Sequence, residues 1–223
     1  MPRAKIPRKS TSIDMTAMCD VAFLLLSFFI LATKFKPPEA LTVVTPSSVS
    51  SKIAKDVDVV LITMDKDGKI YLSVSDKNVN EKKDIIDAIS TAKNLNLTDA
   101  QKNNFVKNPA YFIGVPFSQL PAYLSKPQEQ LKGLNLPGIP TKDSTDNELI
   151  DWIRAAVGAF QGTKMNLLVK GDNDAKYPSF QGVIIAFKKN DQMKFQMVTS
   201  PVAAPSGSEL WKVQQASGNK SSE

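Results

Sequence analysis

The chain has 223 residues, a formal net charge of +6, one cysteine and no histidine. A lone cysteine excludes an internal disulfide framework and a cysteine-cluster metal site, and the lack of histidine removes the commonest zinc ligand and the commonest general base, so zinc chemistry and triad hydrolysis are disfavoured and no cofactor or metal is expected. The lysines are interleaved with acids, with no basic block in the C-terminal part; this reads as a solvated mixed-charge surface, and nucleic acid is not an expected partner.

Residues 1–14 form a basic arm carrying Arg3, Lys5, Arg8 and Lys9. The run Met15 to Thr33 is apolar except for Asp20 and a few hydroxyls. As a helix it extends roughly 28 Å, close to the ~30 Å hydrocarbon core of a bilayer, and predicts a transmembrane helix over 15–35. Excess positive charge stays cytoplasmic, so the amino end is expected inside and the rest of the chain translocated. A cleaved signal peptide has the same basic-then-apolar order, but the long apolar run, Asp20 within it and the missing small-x-small site favour an uncleaved anchor. A lipoprotein reading of Cys19 fails, because the apolar stretch follows the cysteine.

A charged carboxylate inside a bilayer costs ~2.5–3.5 kcal/mol on insertion scales, so an intramembrane acid normally faces a protein partner or a water-filled cavity. At about 100° per residue, Thr16, Asp20 and Ser27 fall within about 40° of one another, in a sector shared with Phe23 and Ile30. Such a stripe suits the passage of a proton along a helix surface. The alternative is that Asp20 marks the start of a shorter span as an interfacial acid, with hydroxyls bonded back to their own helix.

The stretch Ile13-Asp14-Met15-Thr16-Ala17-Met18-Cys19-Asp20-Val21 resembles the ExbD/TolR family of bacterial biopolymer transport proteins. In that family's pattern an apolar residue, usually Asn, an apolar residue, Thr and Pro lead to an Asp followed by aliphatics. Thr16 and Asp20 match at the right spacing, whereas Asp14 stands in place of Asn and Ala17 in place of Pro. The resemblance implies a non-enzymatic, single-span subunit of the bacterial inner membrane in which Asp20 is the proton carrier, with Thr16 and Ser27 on the polar face beside it. It further implies multi-span channel subunits similar to ExbB, TolQ and MotA as partners, a second copy of the chain, and a TonB-like protein or peptidoglycan on the periplasmic side.

Pro37-Pro38 ends the helix, and residues 36–55, rich in Ser, Thr and Pro, read as a flexible linker. Two β-rich runs, Asp56 to Thr63 and Ile70 to Val74, flank Asp67-Gly68 and predict a hairpin. This is similar to the start of the family's periplasmic domain, expected over 56–200. Residues of about 80–162 read as an insertion in that domain, packing onto it. It holds a helix over Asp84 to Leu95, a short helix over Thr98 to Val106, ordered loop over 107–142, and a helix after a capping box Thr145-x-x-Glu148, with Leu149, Ile150, Trp152, Ile153, Ala156, Val157 and Phe160 on its apolar positions.

Met165 to Lys170 predicts a strand, Gly171 to Asp174 a turn, Tyr177 to Lys189 a helix, and Gln192 to Thr199 a last strand. The turn lacks the spacing of a calcium loop. Residues 201–223 read as a mobile tail. The fold expected is a single transmembrane helix followed by a small periplasmic α+β domain with a helical and loop insertion. Two functions fit this reading: an energy-transducing subunit driven by proton flow, and a bitopic periplasmic binding or structural module for which the helix is only an anchor.

Overall fold

A computed structural model describes residues 15–32, 43–49, 57–107, 112–131, 134–142, 146–209 and 211–212. The chain divides into two compact units, Met1–Pro37 and Pro38–Glu223. The expected basic arm and the end of the expected span, residues 33–35, lie outside the described residues.

The first unit contains helix α1, Met15–Ala32, whose only charged side chain is Asp20. Its large apolar residues are exposed, from Leu25 at 53% to Leu31 at 86%. In a helix that packs against its own protein one stripe is covered; a helix left apolar on every side needs a surrounding that is itself apolar. No helix among the described residues is long and apolar enough to cross a membrane. The 18 residues of α1 extend about 27 Å, and the predicted span of 15–35 is not confirmed.

The second unit is an α+β domain. Strands β1 (Ser47–Ser48), β2 (Val59–Met64) and β3 (Ile70–Val74) come first, then helices α2 (Val79–Ala92), α3 (Asp99–Lys107), α4 (Leu120–Leu124) and α5 (Leu149–Ala159), then strand β4 (Asn166–Gly171), helix α6 (Tyr177–Lys189) and strands β5 (Phe195–Met197) and β6 (Ser200–Pro201). The main sheet has the order β3-β2-β4-β5. β2 and β3 are antiparallel, joined by the predicted hairpin, while β2–β4 and β4–β5 are parallel. Parallel neighbours need crossover connections: α6 supplies one between β4 and β5, and the α2 to α5 region spans the long connection from β3 to β4.

At the hairpin, Asp65 accepts the Gly68 N–H on its backbone carbonyl and the Lys69 N–H on Oδ1. Gly68 has φ +79°, and a Cβ there would lie 2.2 Å from Ser179 Oγ at the start of α6. The dihedral favours glycine at this position, and a side chain there would also displace the Ser179 hydroxyl.

One sheet face carries Val60, Ile62 and Met64 beside Val74, Leu72 and Ile70 on one side and Leu167 and Val169 on the other. These join a single core with Ile85, Ile86 and Ile89 of α2, Trp152, Ile153 and Ala156 of α5, and Val183, Ala186 and Phe187 of α6. Each of the Val, Leu, Ile, Met and Phe side chains among them contributes roughly 1.5–3 kcal/mol when fully buried. Residues 80–162, expected as an insertion packed onto a finished domain, instead supply a large share of that core. A sheet with parallel pairs has to be covered by its crossover helices, and α2 and α5 do this.

Two further differences arise inside this region. The ordered loop expected over 107–142 contains a 3-10 turn at Phe117–Gln119, helix α4 with fully buried Leu120 and Leu124, and a second 3-10 turn at Gln128–Leu131. Pro121 falls in the first turn of α4, where a missing N–H costs nothing. The same stretch caps the outer edge of β3: Ile113 and Leu72 exchange backbone hydrogen bonds of 2.7 and 2.8 Å, and the Ile139 N–H donates to Ile70. The predicted capping box falls partly outside the described residues. Thr145 is not described, and Glu148, immediately before α5, accepts the Phe117 N–H at 2.8 Å.

The linker expected over 36–55 is corrected at residues 43–49, which are folded onto the domain. β1 lies parallel to β6, with Ser47 opposite Ser200 and Ser48 opposite Pro201. Of the last predicted strand, 192–199, only Phe195–Met197 is strand, as β5, and β6 follows it at Ser200–Pro201. Of the predicted tail, residues 201–209 and 211–212 are described, with Ala204 buried.

Candidate functional site

Thr16, Asp20 and Ser27 all lie on α1, spaced by four and seven residues, which sets them on one side of the helix. Asp20 is exposed and Ser27 half-buried. The Ser27 hydroxyl donates to the Leu24 carbonyl at 2.9 Å, so its proton is engaged by the helix backbone. Cys19 is a free thiol beside Asp20 in sequence. What α1 presents is one carboxylate in an otherwise uncharged helix.

Several of the domain's polar groups are committed to holding the fold. Lys82, 1% exposed, pairs with Asp76. Asp58, at φ +57°, and Asn78 are locked by two reciprocal hydrogen bonds of 2.9 and 2.8 Å. Burial, then the neighbouring Asp65, pushes the Tyr71 hydroxyl well above the ordinary phenol range, and that hydroxyl donates to Asp65 Oδ2. Burial likewise pushes the Glu148 carboxyl up; the Phe117 N–H opposes this, Asp146 adds to it, Lys93 opposes it and Asp151 adds to it. Among the described residues no cluster of acidic, cysteine or histidine side chains is arranged to hold a metal ion.

The turn at Gly171 to Asp174 holds the polar group that sequence reasoning missed. Asp172 Oδ2 accepts the Val44 N–H at 3.1 Å and Oδ1 accepts the Asp174 N–H at 3.0 Å. In return the Asn173 N–H donates to the Val44 carbonyl at 2.8 Å. Both carboxylate oxygens therefore face backbone donors, an arrangement suited to fixing a chain segment and unsuited to a cation. An acidic turn is visible in the sequence, but its partner lies 128 residues away.

The chain thus carries an apolar helix bearing one acid in its first unit and an α+β domain in its second. The family model for biopolymer transport protein ExbD/TolR matches residues 7–202. The chain belongs to the ExbD/TolR family. That family is non-enzymatic and transport-associated; its members serve energy transduction in inner-membrane complexes and typically work with ExbB/TolQ-type partners. No curated protein and no solved structure matches the chain.

Proposed function

We propose that the chain is the single-span subunit of an ExbB-ExbD or TolQ-TolR type complex, and that Asp20 is its intramembrane proton carrier. The observation that carries this reading is the placement of Asp20 as the only charged side chain of α1. In apolar surroundings a lone carboxylate is costly unless a partner or a water file meets it. Multi-span subunits packed around α1 would cover its exposed apolar faces and supply that contact to Asp20 and Thr16. α1 enters the membrane with the flanking residues to 35, the basic arm lies in the cytoplasm, and the domain lies in the periplasm. There the domain passes the conformational change to a TonB-like protein or to the cell wall, with a second copy of the chain in the complex.

Asp20→Asn keeps the shape and removes the titratable group. Expected is loss of energised output with the complex still co-purifying; full output in this variant would contradict the reading. Replacing residues 15–33 by a neutral anchor tests the alternative, since a bitopic binding module would keep its function with any anchor.

A further inference from the structure

The stretch that seals the outer edge of β3 is tied to the start of α5 through the side chain of Glu148. Phe117 opens the 3-10 turn Phe117–Gln119, and the residue before it, Pro116, has no side-chain group to cap that turn. The cap comes instead from 31 residues along the chain, where Glu148 Oε2 accepts the Phe117 N–H at 2.8 Å. Glu148 is itself held in place: its N–H donates to the Pro140 carbonyl at 3.0 Å, and its carbonyl accepts the N–H groups of Asp151 and Trp152. The same stretch carries Ile113, which exchanges backbone hydrogen bonds with Leu72 of β3.

The charges around this carboxyl compensate it poorly. Asp151 takes both cations nearby, Lys93 Nζ of α2 at 2.5 Å and Arg154 Nη1 of α5 at 3.0 Å. Asp146 and Asp151 add like charge, and the turn it caps, Phe117-Ser118-Gln119, has none. Among the described residues one N–H, that of Phe117, meets the carboxyl. The chain has no histidine, the side chain whose ordinary pKa falls between pH 5 and 8, so a response in that range falls to groups displaced from their ordinary values. Glu148 is displaced upward, chiefly by burial.

We infer that Glu148 is a proton-operated clamp, which holds residues 112–124 against the start of α5 and tightens when it takes up a proton. The neutral carboxyl still accepts the Phe117 N–H on its carbonyl oxygen, while the poorly compensated charge is gone. A proton bound more tightly with the clamp closed than with Glu148 in water favours closure, so closure strengthens as pH falls through the raised value and weakens as pH rises through it. Opening would free the Leu72 N–H and carbonyl on the outer side of β3, and unpaired groups on a sheet edge can template a further strand. Acid therefore keeps this edge shut. Glu148 acts as a positioning residue, and the inference concerns the second unit alone, so it stands or falls separately from the role given to Asp20.

Residue-resolved hydrogen exchange on the full chain in detergent, from about pH 7.5 to about pH 5, tests the clamp. The amides of Ile113 and Phe117 are expected to exchange faster than that of Leu168 in β4, as a stretch that opens without the rest of the sheet; one common rate at every pH would overturn the inference. After correction for intrinsic rates, their protection in wild type relative to Glu148→Gln is expected to rise at least about twofold on acidification, and a constant ratio would overturn it. Asp151→Asn frees Lys93 and removes a like charge. Against its own Glu148→Gln partner, its rise should come at lower pH than in wild type; an unmoved midpoint would overturn the assignment of the response to Glu148.

Discussion

The Phe117 N–H donates to Glu148 Oε2 at 2.8 Å, tying the stretch that caps β3 to the start of α5. Around this bond Phe117 stacks on Trp152 with ring centroids 5.6 Å apart, and the Lys93 ammonium lies 5.1 Å from the Phe117 centroid. Glu148 sits in this half-buried place with its carboxyl pushed above the usual carboxylate range, chiefly by burial.

A carboxyl whose folded pKa is raised binds its proton more tightly in the native state than in the unfolded chain. Its contribution to stability is therefore greatest below the unfolded value of about 4.3 and is lost as pH rises through the raised folded value. Glu148→Gln keeps an acceptor for the Phe117 N–H and removes the charge. Thermal unfolding of the full chain in detergent should show the variant melting at or up to about 2 °C above wild type at pH 7, the gain being small because solvent still reaches the carboxyl. The difference should vanish near pH 4. A variant that is less stable at pH 7 than at pH 4, relative to wild type, would show that the ionised carboxylate is favourable where it sits.

Lys82 and Asp76 predict an asymmetry. Lys82 is almost fully buried, whereas the Asp76 side chain is 54% exposed. Asp76→Ala leaves a buried ammonium without its carboxylate and should cost about 2–3 kcal/mol, while Lys82→Met removes the charge together with its desolvation and should lie within about 1 kcal/mol of wild type. Urea unfolding followed by far-UV circular dichroism reads both values, and equal losses in the two variants would contradict the prediction.

Gly182 lies in α6 where a Cβ would meet the Thr141 carbonyl oxygen at 2.3 Å and the Thr141 Cβ at 2.9 Å. Alanine favours a helix interior over glycine by roughly 0.5–1 kcal/mol, but here the obstacle is backbone and cannot swing aside. Gly182→Ala should therefore destabilise by about 1–2 kcal/mol, lowering Tm by about 2–8 °C. Gly158, which has nothing within 4 Å of its Cβ position, is the control and should gain stability as alanine.

Elements whose apolar spacing is set by their own neighbours are legible in the sequence. α6 runs over Tyr177–Lys189, as its spacing predicts, and the hairpin turns at Asp65 to Lys69, beside the Asp-Gly pair. α2 begins at Val79, earlier than the predicted Asp84, because its first turn buries the stem of Lys82, a residue that reads as surface. The pairing of residues 43–49 is not legible: Ser, Thr and Pro carry no strand periodicity, and its partners, Asp172, Asn173 and residues 200–202, lie far away in sequence. The extent to which residues 80–162 fill the core is hidden by the proline-rich stretch at their centre, where Pro121 starts a helix while reading as a breaker. At α1 the acid, its spacing from Thr16 and the family resemblance are all read from the residues alone. That Ser27 turns its hydroxyl to Leu24 depends on a rotamer, which no residue spacing reports.

The central claim is that Asp20 carries protons, and proton flux through the complex reconstituted with its channel subunits measures this most directly. With a pH gradient imposed across proteoliposomes, the wild-type complex should pass protons at least tenfold faster than one containing Asp20→Asn, at equal protein content and with assembly unchanged. Equal flux through the two complexes would contradict the claim.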